Sequence, residues 1–172
     1  MAVSSNTPTY MVIEAGDLYI NGTDIGAVKS GATFSVEQDI FFPELGGTRG
    51  AIAGTGKVVK ESATLTVSIA ELTVGKLIQV IPTLASSSDA TSEYTTTPSI
   101  GLVGSSAHVT VELKSTTTNS KAIIITLYNA LAEGGLSMNF EDGAETTYEV
   151  TFRSYYSSST PKGRSWKLAV AK

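Results

Sequence analysis

Cysteine is absent from the 172 residues, and histidine occurs once. Without thiols the chain forms no disulfide, no thiolate zinc site and no cysteine nucleophile. The single histidine, His108, falls on the polar side of a predicted strand, with no sequence neighbour placed to orient it as a general base. We therefore interpret His108 as a solvated or interface residue, and we expect neither an enzyme nor a bound metal or other cofactor.

Charge is also scarce. Charged residues make up 16% of the chain, below the level of about a quarter that is usual in globular domains. The net charge of −4 argues against specific binding of nucleic acid, which needs a basic surface. A surface with so little charge indicates either burial against partner molecules or a β-protein with many threonine-rich strands, and both interpretations fit the composition.

Long apolar runs are missing as well. No stretch approaches the roughly 20 apolar residues of a membrane-spanning helix, and residues 1–10 have neither a basic start nor an apolar run. We therefore predict no signal peptide and no membrane insertion. The length fits one domain over residues 1–172. Within it, residues 1–10 are interpreted as an extended arm and residues 85–105 as a Ser/Thr-rich surface loop.

What the chain does contain is two-residue alternation of apolar and polar side chains, the pattern of half-buried strands. It recurs in residues 32–42, 57–70, 107–114, 136–140, 146–156 and 166–170, while residues 122–127 form a continuous apolar run. One short helix is predicted at about residues 73–81, with Thr73 as its N-cap and Pro82 after its end. Many strands and one short flanking helix predict a mainly β fold, a β-sandwich or barrel-like architecture.

The two early strands have predicted faces. In the first strand the buried row is Ala32, Phe34, Val36 and Ile40. In the second strand the buried row is Val59, Ala63, Leu65, Val67 and Ile69. Glu61 interrupts the second row, and the sequence offers no reason for it. Glu37 and Asp39 share the opposite face of the first strand, which we interpret as a solvated face and not as an acid–base pair.

A long glycine-rich loop, residues 43–56, connects these strands. Hairpin loops usually have 2–5 residues, so a loop of this length indicates a functional or a mobile segment. Its end resembles a phosphate-binding loop, but Val58 stands where a Ser or Thr would bind magnesium. A strand follows where a helix N-terminus would be needed. We therefore interpret it as a structural loop.

Three segments in succession resemble the major tail tube proteins of long-tailed bacteriophages. They are residues 16–34, a hairpin leading into a strand, residues 37–82, with the long loop and the short helix, and residues 123–155, with ITLYNALAEGGLSMNFEDG and YEVTFRSY. The likeness covers most of the chain except the region around residues 85–105. It lies in the order of these segments and not in any one diagnostic motif.

The resemblance implies a tail-tube fold, a β-sandwich flanked by a helix, whose subunits form hexameric rings that stack into a hollow tube. The implied partners are other copies of the chain, a tape-measure protein, a tail terminator and distal tail or baseplate proteins. Double-stranded DNA would pass through during ejection without specific binding. The implied location is the tail of the virion, after assembly in the host cytoplasm.

Site residues follow from the same resemblance. It implies that the long loop and its flanks contact the adjacent ring, through Phe41, Phe42, Pro43, Glu44, Leu45, Arg49, Ile52 and Lys57. The arm would add a contact through Pro8 and Tyr10. We further hypothesise that Glu37 and Asp39 face the lumen, with Lys60 and Ser62 beside them. The alternative, that this face is outer surface, stays open.

Other structural roles are compatible with the same pattern of strands and the same long loop. A tube or ring protein of a contractile injection or secretion system, a tail terminator or a capsid-decoration protein would differ in partner and not in chemistry. A less favoured alternative is a β-sandwich binding module with exposed aromatic side chains. Its candidates are Tyr155, Tyr156 and Trp166, of which Tyr156 and Trp166 are predicted to lie in the core.

Overall fold

The computed structural model describes residues 16–29, 31–43, 50, 52–70, 74–81, 84–86, 94–96, 104, 107–116, 122–139, 147–157 and 164–170. Ten strands and one helix occur in these ranges, so the predicted mainly β class is confirmed. They are β1 (Gly16–Ile20), β2 (Thr23–Ala27), β3 (Thr33–Phe41), β4 (Lys57–Ile69), α1 (Val74–Val80), β5 (Leu84–Ser86), β6 (Tyr94–Thr96), β7 (Val109–Thr116), β8 (Ala122–Asn139), β9 (Thr147–Ser154) and β10 (Trp166–Val170).

Eight of the strands form one antiparallel sheet in the order β2-β1-β7-β8-β9-β4-β3, with β10 paired to β8. The sheet curls until its two sides meet, because the chain after β2 bonds to the end of β4. Lys29 N donates to Ser68 O at 2.8 Å and Ala70 N donates to Ala27 O at 3.3 Å, on either side of a bridge between Val28 and Ile69. This contact gives the sheet its barrel-like form.

The core lies inside the curl and is built from the alternating rows of the strands. Leu18, Ile25, Val111, Leu127 and Phe152 are among its fully buried side chains. The predicted row from residue 63 to residue 69 of β4 is buried as expected. Val80 of α1 covers part of the core. The Asn21-Gly22 turn between β1 and β2 uses two left-handed residues, with φ of 50° and 80°, as the sequence predicts.

Several sequence-based predictions are corrected. Ala32, Ile40 and Val59 are predicted as buried, but Ala32 is exposed and the other two are about half exposed. Residues 122–127 and 136–140 are predicted as two strands, but residues 122–139 form one 18-residue strand, β8. The sequence suggests a break because Gly134 and Gly135 interrupt the pattern there. The stretch 85–105, predicted as a loop, contains most of the separate pair β5–β6; its small polar residues give no alternating signal.

Strand β8 pairs with different strands along its length. Residues 122–130 pair with β7 along one edge, and residues 123–127 pair with β10 along the other. From Ala130 onward that second edge pairs with β9 instead. The change of partner occurs next to Asn129, whose φ is 47°. Strands β10 and β9 therefore lie one after the other along the same edge of β8.

Ser154 ends the pairing of β9 with β4. The last residue pair of that ladder is Thr64 with Arg153. One position further, the buried Ser154 hydroxyl accepts from Ala63 N at 3.0 Å and donates to Ala63 O at 3.1 Å. A side chain thus replaces the missing backbone partner at the point where β4 leaves β9 behind.

We expect Ser154→Ala to lower the free energy of unfolding by about 1–3 kcal/mol, because the N–H and C=O of Ala63 would both lose their partner in a buried position. Urea denaturation followed by circular dichroism measures this. Ser137→Ala, at an exposed position of β8, is the matched control and should change stability by less than about 0.5 kcal/mol. Equal stability of the two variants would contradict this role of Ser154.

Candidate assembly surface

The far halves of β3 and β4 extend beyond the end of β9 as a two-stranded ribbon, defined here as residues 36–42 and 56–62. Strand β9 pairs with β4 only from Thr64 to Ile69, whereas β3 pairs with β4 as far as Lys57. Among the described residues, no other strand pairs with the ribbon. In the described residues this part of β4 therefore lacks the second strand neighbour that β9 provides from Thr64 to Ile69.

The ribbon carries an unusual amount of exposed apolar surface. Its exposed side chains include Ile40, Phe41, Phe42, Val58 and Val59, and Phe41 is 58% accessible. Ile52, in the connecting loop, is also exposed. These residues account for six of the ten exposed large apolar side chains in the described part of the chain. Concentrations of this kind mark surfaces that contact other molecules.

Two of these apolar side chains, Ile40 and Phe42, pack over Gly56. A bulge between Asp39 and Ile40 changes the register, so that Ile40 lies opposite Val58. A Cβ atom added to Gly56 would lie 2.7 Å from Phe42 Cε1 and 3.2 Å from Ile40 Cγ2. Glycine at position 56 therefore lets the Phe42 ring and the Ile40 side chain rest on the backbone. The apolar surface of the ribbon has a defined shape.

The polar side of the ribbon holds the four residues predicted to share a face. Glu37 lies opposite Ser62 and Asp39 lies opposite Lys60 in the register. Together with Gln38 they line a shallow depression of about 190 Å³. Ser62 is only 7% exposed, so it forms the floor of the depression and not its rim.

Glu61, the residue that interrupts the predicted apolar row, connects three strands. Its carboxylate accepts from Gln38 Nε2 at 2.6 Å and from Trp166 Nε1 at 2.9 Å, with Ser165 Oγ at 3.4 Å. The Trp166 ring also lies 5.7 Å from the Phe34 ring, centroid to centroid. Glu61 thereby fixes the start of β10 to the base of the ribbon. No local pattern reveals this contact, because its partners are 105 residues apart.

We expect Glu61→Ala to move the fluorescence emission of Trp166 to longer wavelength, since the indole loses its acceptor and its ring is freed toward water. Trp166 is the only tryptophan in the chain, so the emission reports this site alone. Stability should fall by about 1 kcal/mol, the net value of an ordinary hydrogen bond. Glu149→Ala, at an exposed position of β9, is the control, and an unchanged emission in Glu61→Ala would contradict the contact.

A second polar group lies near the end of β9. The Tyr155 hydroxyl donates to Glu133 Oε1, and Arg153 Nη1 lies 3.7 Å from Glu133 Oε2. The hydrogen bond to Glu133 is the main reason why the pKa of Tyr155 is raised above its usual value, and burial adds to the shift. His108 contacts the Tyr155 ring edge-on, 5.4 Å between centroids. His108 is therefore half-buried against an aromatic ring.

The aromatic residues near the end of the chain are placed differently from the prediction. Tyr156 is predicted to lie in the core but is 74% exposed, because it lies two residues beyond the end of β9 and none of the described strands covers it. Trp166 is half-buried and packs against the core. Tyr155 is exposed, as the alternative binding-module interpretation requires.

The predicted contact residues fall into two groups. Phe41, Phe42, Ile52 and Lys57 are exposed and Pro43 is half-buried, all on or beside the ribbon. The others lie outside the described residues: Glu44, Leu45, Arg49, Pro8 and Tyr10. What the sequence did not reveal is that the apolar surface extends onto the strands themselves, through Ile40, Val58 and Val59.

In the ranges that the structure describes, no three Asp, Glu or His side chains are grouped as a metal site would need. None of the described helical residues forms a segment that could cross a membrane. The ribbon can contribute apolar contact and unpaired strand edges to another chain. Neither a scan against protein-family models nor a search of curated proteins found a match to this chain.

Proposed function

We propose that the chain is the structural subunit of a phage-type tail tube, which assembles with itself into stacked rings around a conduit for double-stranded DNA. The observation that carries the proposal is the ribbon: a two-stranded extension with five exposed large apolar side chains and one unpaired outer edge within the described residues. A monomer in water gains nothing from such a surface, whereas assembly buries it. The resemblance in segment order points to the same role.

The proposed kind of assembly is a ring built from one repeated contact. The ribbon lies on one side of the subunit. The proposal is that it meets a different surface on the neighbouring copy, because heterologous contacts of this kind produce rings or filaments. The resemblance adds further parts to the proposal. They are six subunits per ring, a location in the virion tail, and three kinds of partner: a tape-measure protein, a terminator, and distal tail or baseplate proteins. It includes no catalytic role.

Negative-stain electron microscopy of the purified protein over a range of concentrations tests the proposal, alongside sedimentation velocity. Long hollow tubes would support it. Isolated rings would favour a terminator or a secretion-type ring protein. A chain that remains monomeric or trimeric at every concentration would contradict tube formation and favour a decoration protein.

The acidic depression on the ribbon is proposed to face the lumen. Carboxylates there repel DNA phosphates and let the duplex slide, and Lys60 tempers that charge. We expect Glu37→Lys combined with Asp39→Lys to slow DNA ejection from assembled virions while tube length stays normal. The matched control is Glu37→Gln with Asp39→Asn, which removes charge without reversing it and should have a smaller effect. Normal ejection rates in the lysine variant would contradict a lumenal position.

A further inference from the structure

The base of the ribbon is joined to β10 through one side chain. Strand β9 pairs with β4 only as far as Thr64, and the ribbon continues beyond that point. There Glu61 lies opposite Gln38 in the ladder between β3 and β4. Its carboxylate accepts from Gln38 on one side and from Trp166 and Ser165 on the other. We call this group of hydrogen bonds, centred on Glu61, the clamp.

The donors on the far side of the clamp belong to the body of the sheet. Tyr128 N on β8 donates to Ser165 O at 2.9 Å, and Trp166 begins the ladder between β10 and β8. The Trp166 ring packs against the core and against the Phe34 ring. The groups that reach the carboxylate from this side are therefore held in place by the rest of the subunit.

A carboxylate fixes a direction that an apolar side chain would not. Glu61 is the one polar residue in the row of β4 made of residues 59, 61, 63, 65, 67 and 69. An apolar contact tolerates sliding, whereas hydrogen bonds constrain both a distance and an angle. Polar groups that are paired in this way specify one arrangement of the strands that they join.

A change of angle at the clamp is amplified along the ribbon. From Glu61 to Lys57 the strand covers roughly 14 Å, so a tilt of about 10° at the clamp moves Lys57 by roughly 2 Å. In a ring the same error repeats at every contact. Over the six subunits that the proposal includes, about 10° per contact adds up to about 60°, the share of one whole subunit. A ring of one size therefore needs a fixed ribbon angle.

We propose that Glu61 is a positioning residue for assembly: the clamp sets the angle of the ribbon, and that angle selects the size at which the ring closes. This inference rests on the proposed function for the ring. It assigns a role to a residue that acts through the ribbon and not by contact with the second copy. The apolar side chains of the ribbon supply the contact, and the clamp directs it.

Spin-label distances in the monomer test the clamp, because the chain has no cysteine of its own. Labels are attached to Lys57→Cys on the ribbon and Asp24→Cys on β2, both at exposed positions. The distribution of distances between them is measured by pulsed electron resonance below the onset of assembly. We expect Glu61→Ala to broaden it, since the loss of about one hydrogen bond raises the population of detached ribbons roughly fivefold.

Three further variants make this readout specific to the clamp. Trp166→Phe keeps an aromatic ring but lacks the donor, so it should broaden the distribution as Glu61→Ala does. Glu61→Gln keeps an oxygen that accepts from Trp166 Nε1 and should stay closer to the parent chain. Glu149→Ala removes an exposed carboxylate of β9 and should change nothing. An unchanged distribution in Glu61→Ala, or equal broadening by Glu149→Ala, would overturn the clamp.

Electron microscopy of the unlabelled variants separates the inference from the proposed function. The parent chain should form tubes of one diameter. Glu61→Ala should give tubes of mixed diameter or rings that do not close, while its circular dichroism spectrum stays that of the folded chain. Uniform tubes from Glu61→Ala would overturn the positioning role and leave the tube proposal standing. A broadened distribution together with a parent chain that forms no tubes would support the clamp and contradict the tube.

Discussion

Replacing three apolar side chains of the ribbon, as Phe41→Ser, Val58→Thr and Val59→Thr together, is expected to abolish assembly while the subunit stays folded. Each of these side chains is about half exposed in the monomer, so its loss removes little buried surface. Exposed substitutions usually change stability by less than about 0.5 kcal/mol each. The folded monomer should therefore keep its circular dichroism spectrum and most of its denaturation midpoint.

Assembly should respond differently, because the proposed contact between copies buries the same side chains. An aromatic side chain at the centre of an interface commonly contributes about 2 kcal/mol or more. Two valines add transfer free energy of about 1–2 kcal/mol each when their apolar surface is covered. A loss on the order of 4–5 kcal/mol per contact lowers the association constant by roughly a thousandfold or more. Sedimentation velocity and electron microscopy at matched concentrations measure this loss.

Tyr156→Ser is the matched control, because Tyr156 is the most exposed large apolar residue in the described chain and lies outside the ribbon. It removes an exposed aromatic side chain as Phe41→Ser does, and it should leave tubes unchanged. If the ribbon triple variant still made tubes of normal length, the ribbon would not be the assembly surface. A block by Tyr156→Ser alone would place the contact at the end of β9 instead.

Part of the fold can be predicted from the sequence because it depends on residues that are close together in the chain. Alternation in β4 from Ala63 to Ile69 predicts a buried row, and that row is fully buried. The helix predicted at about residues 73–81 is observed as Val74–Val80, since its N-cap and the proline that follows are local signals. The turn at Asn21 likewise depends only on the conformations that adjacent residues tolerate.

The surface could not be predicted in the same way, because alternation shows that a strand has two faces and not whether anything covers them. Val59 continues the apolar row of β4, yet it is exposed, in the part of β4 beyond the pairing with β9. Glu61 interrupts the apolar row, and its role depends on the hydrogen bond from Trp166, which only the folded chain brings close. The topology of the whole sheet determines which parts of a strand stay exposed. The candidate assembly surface lies on such an exposed part of β3 and β4.

Phe152→Ala is expected to have the largest effect on stability and to show that the fold and the assembly surface are separate. Phe152 is fully buried, opposite Leu65 on β4 and Ala132 on β8. Truncating a buried phenylalanine costs about 3–5 kcal/mol, from lost burial and from the cavity that remains. Because whole domains are stable by only about 5–15 kcal/mol, much of the margin would be lost. The melting temperature should fall by roughly 10 °C.

Phe41→Ala makes the same chemical change at a position that is 58% exposed, and it is the matched comparison. Urea denaturation at concentrations below the onset of assembly should place Phe41→Ala within about 0.5 kcal/mol of the parent chain. At higher concentrations the order reverses: Phe41→Ala should be defective in assembly, whereas any Phe152→Ala chain that remains folded should still assemble. A loss of less than about 1 kcal/mol in Phe152→Ala would contradict the buried position. Comparable destabilisation by both variants would show that the ribbon belongs to the core and is not an exposed surface for a second copy.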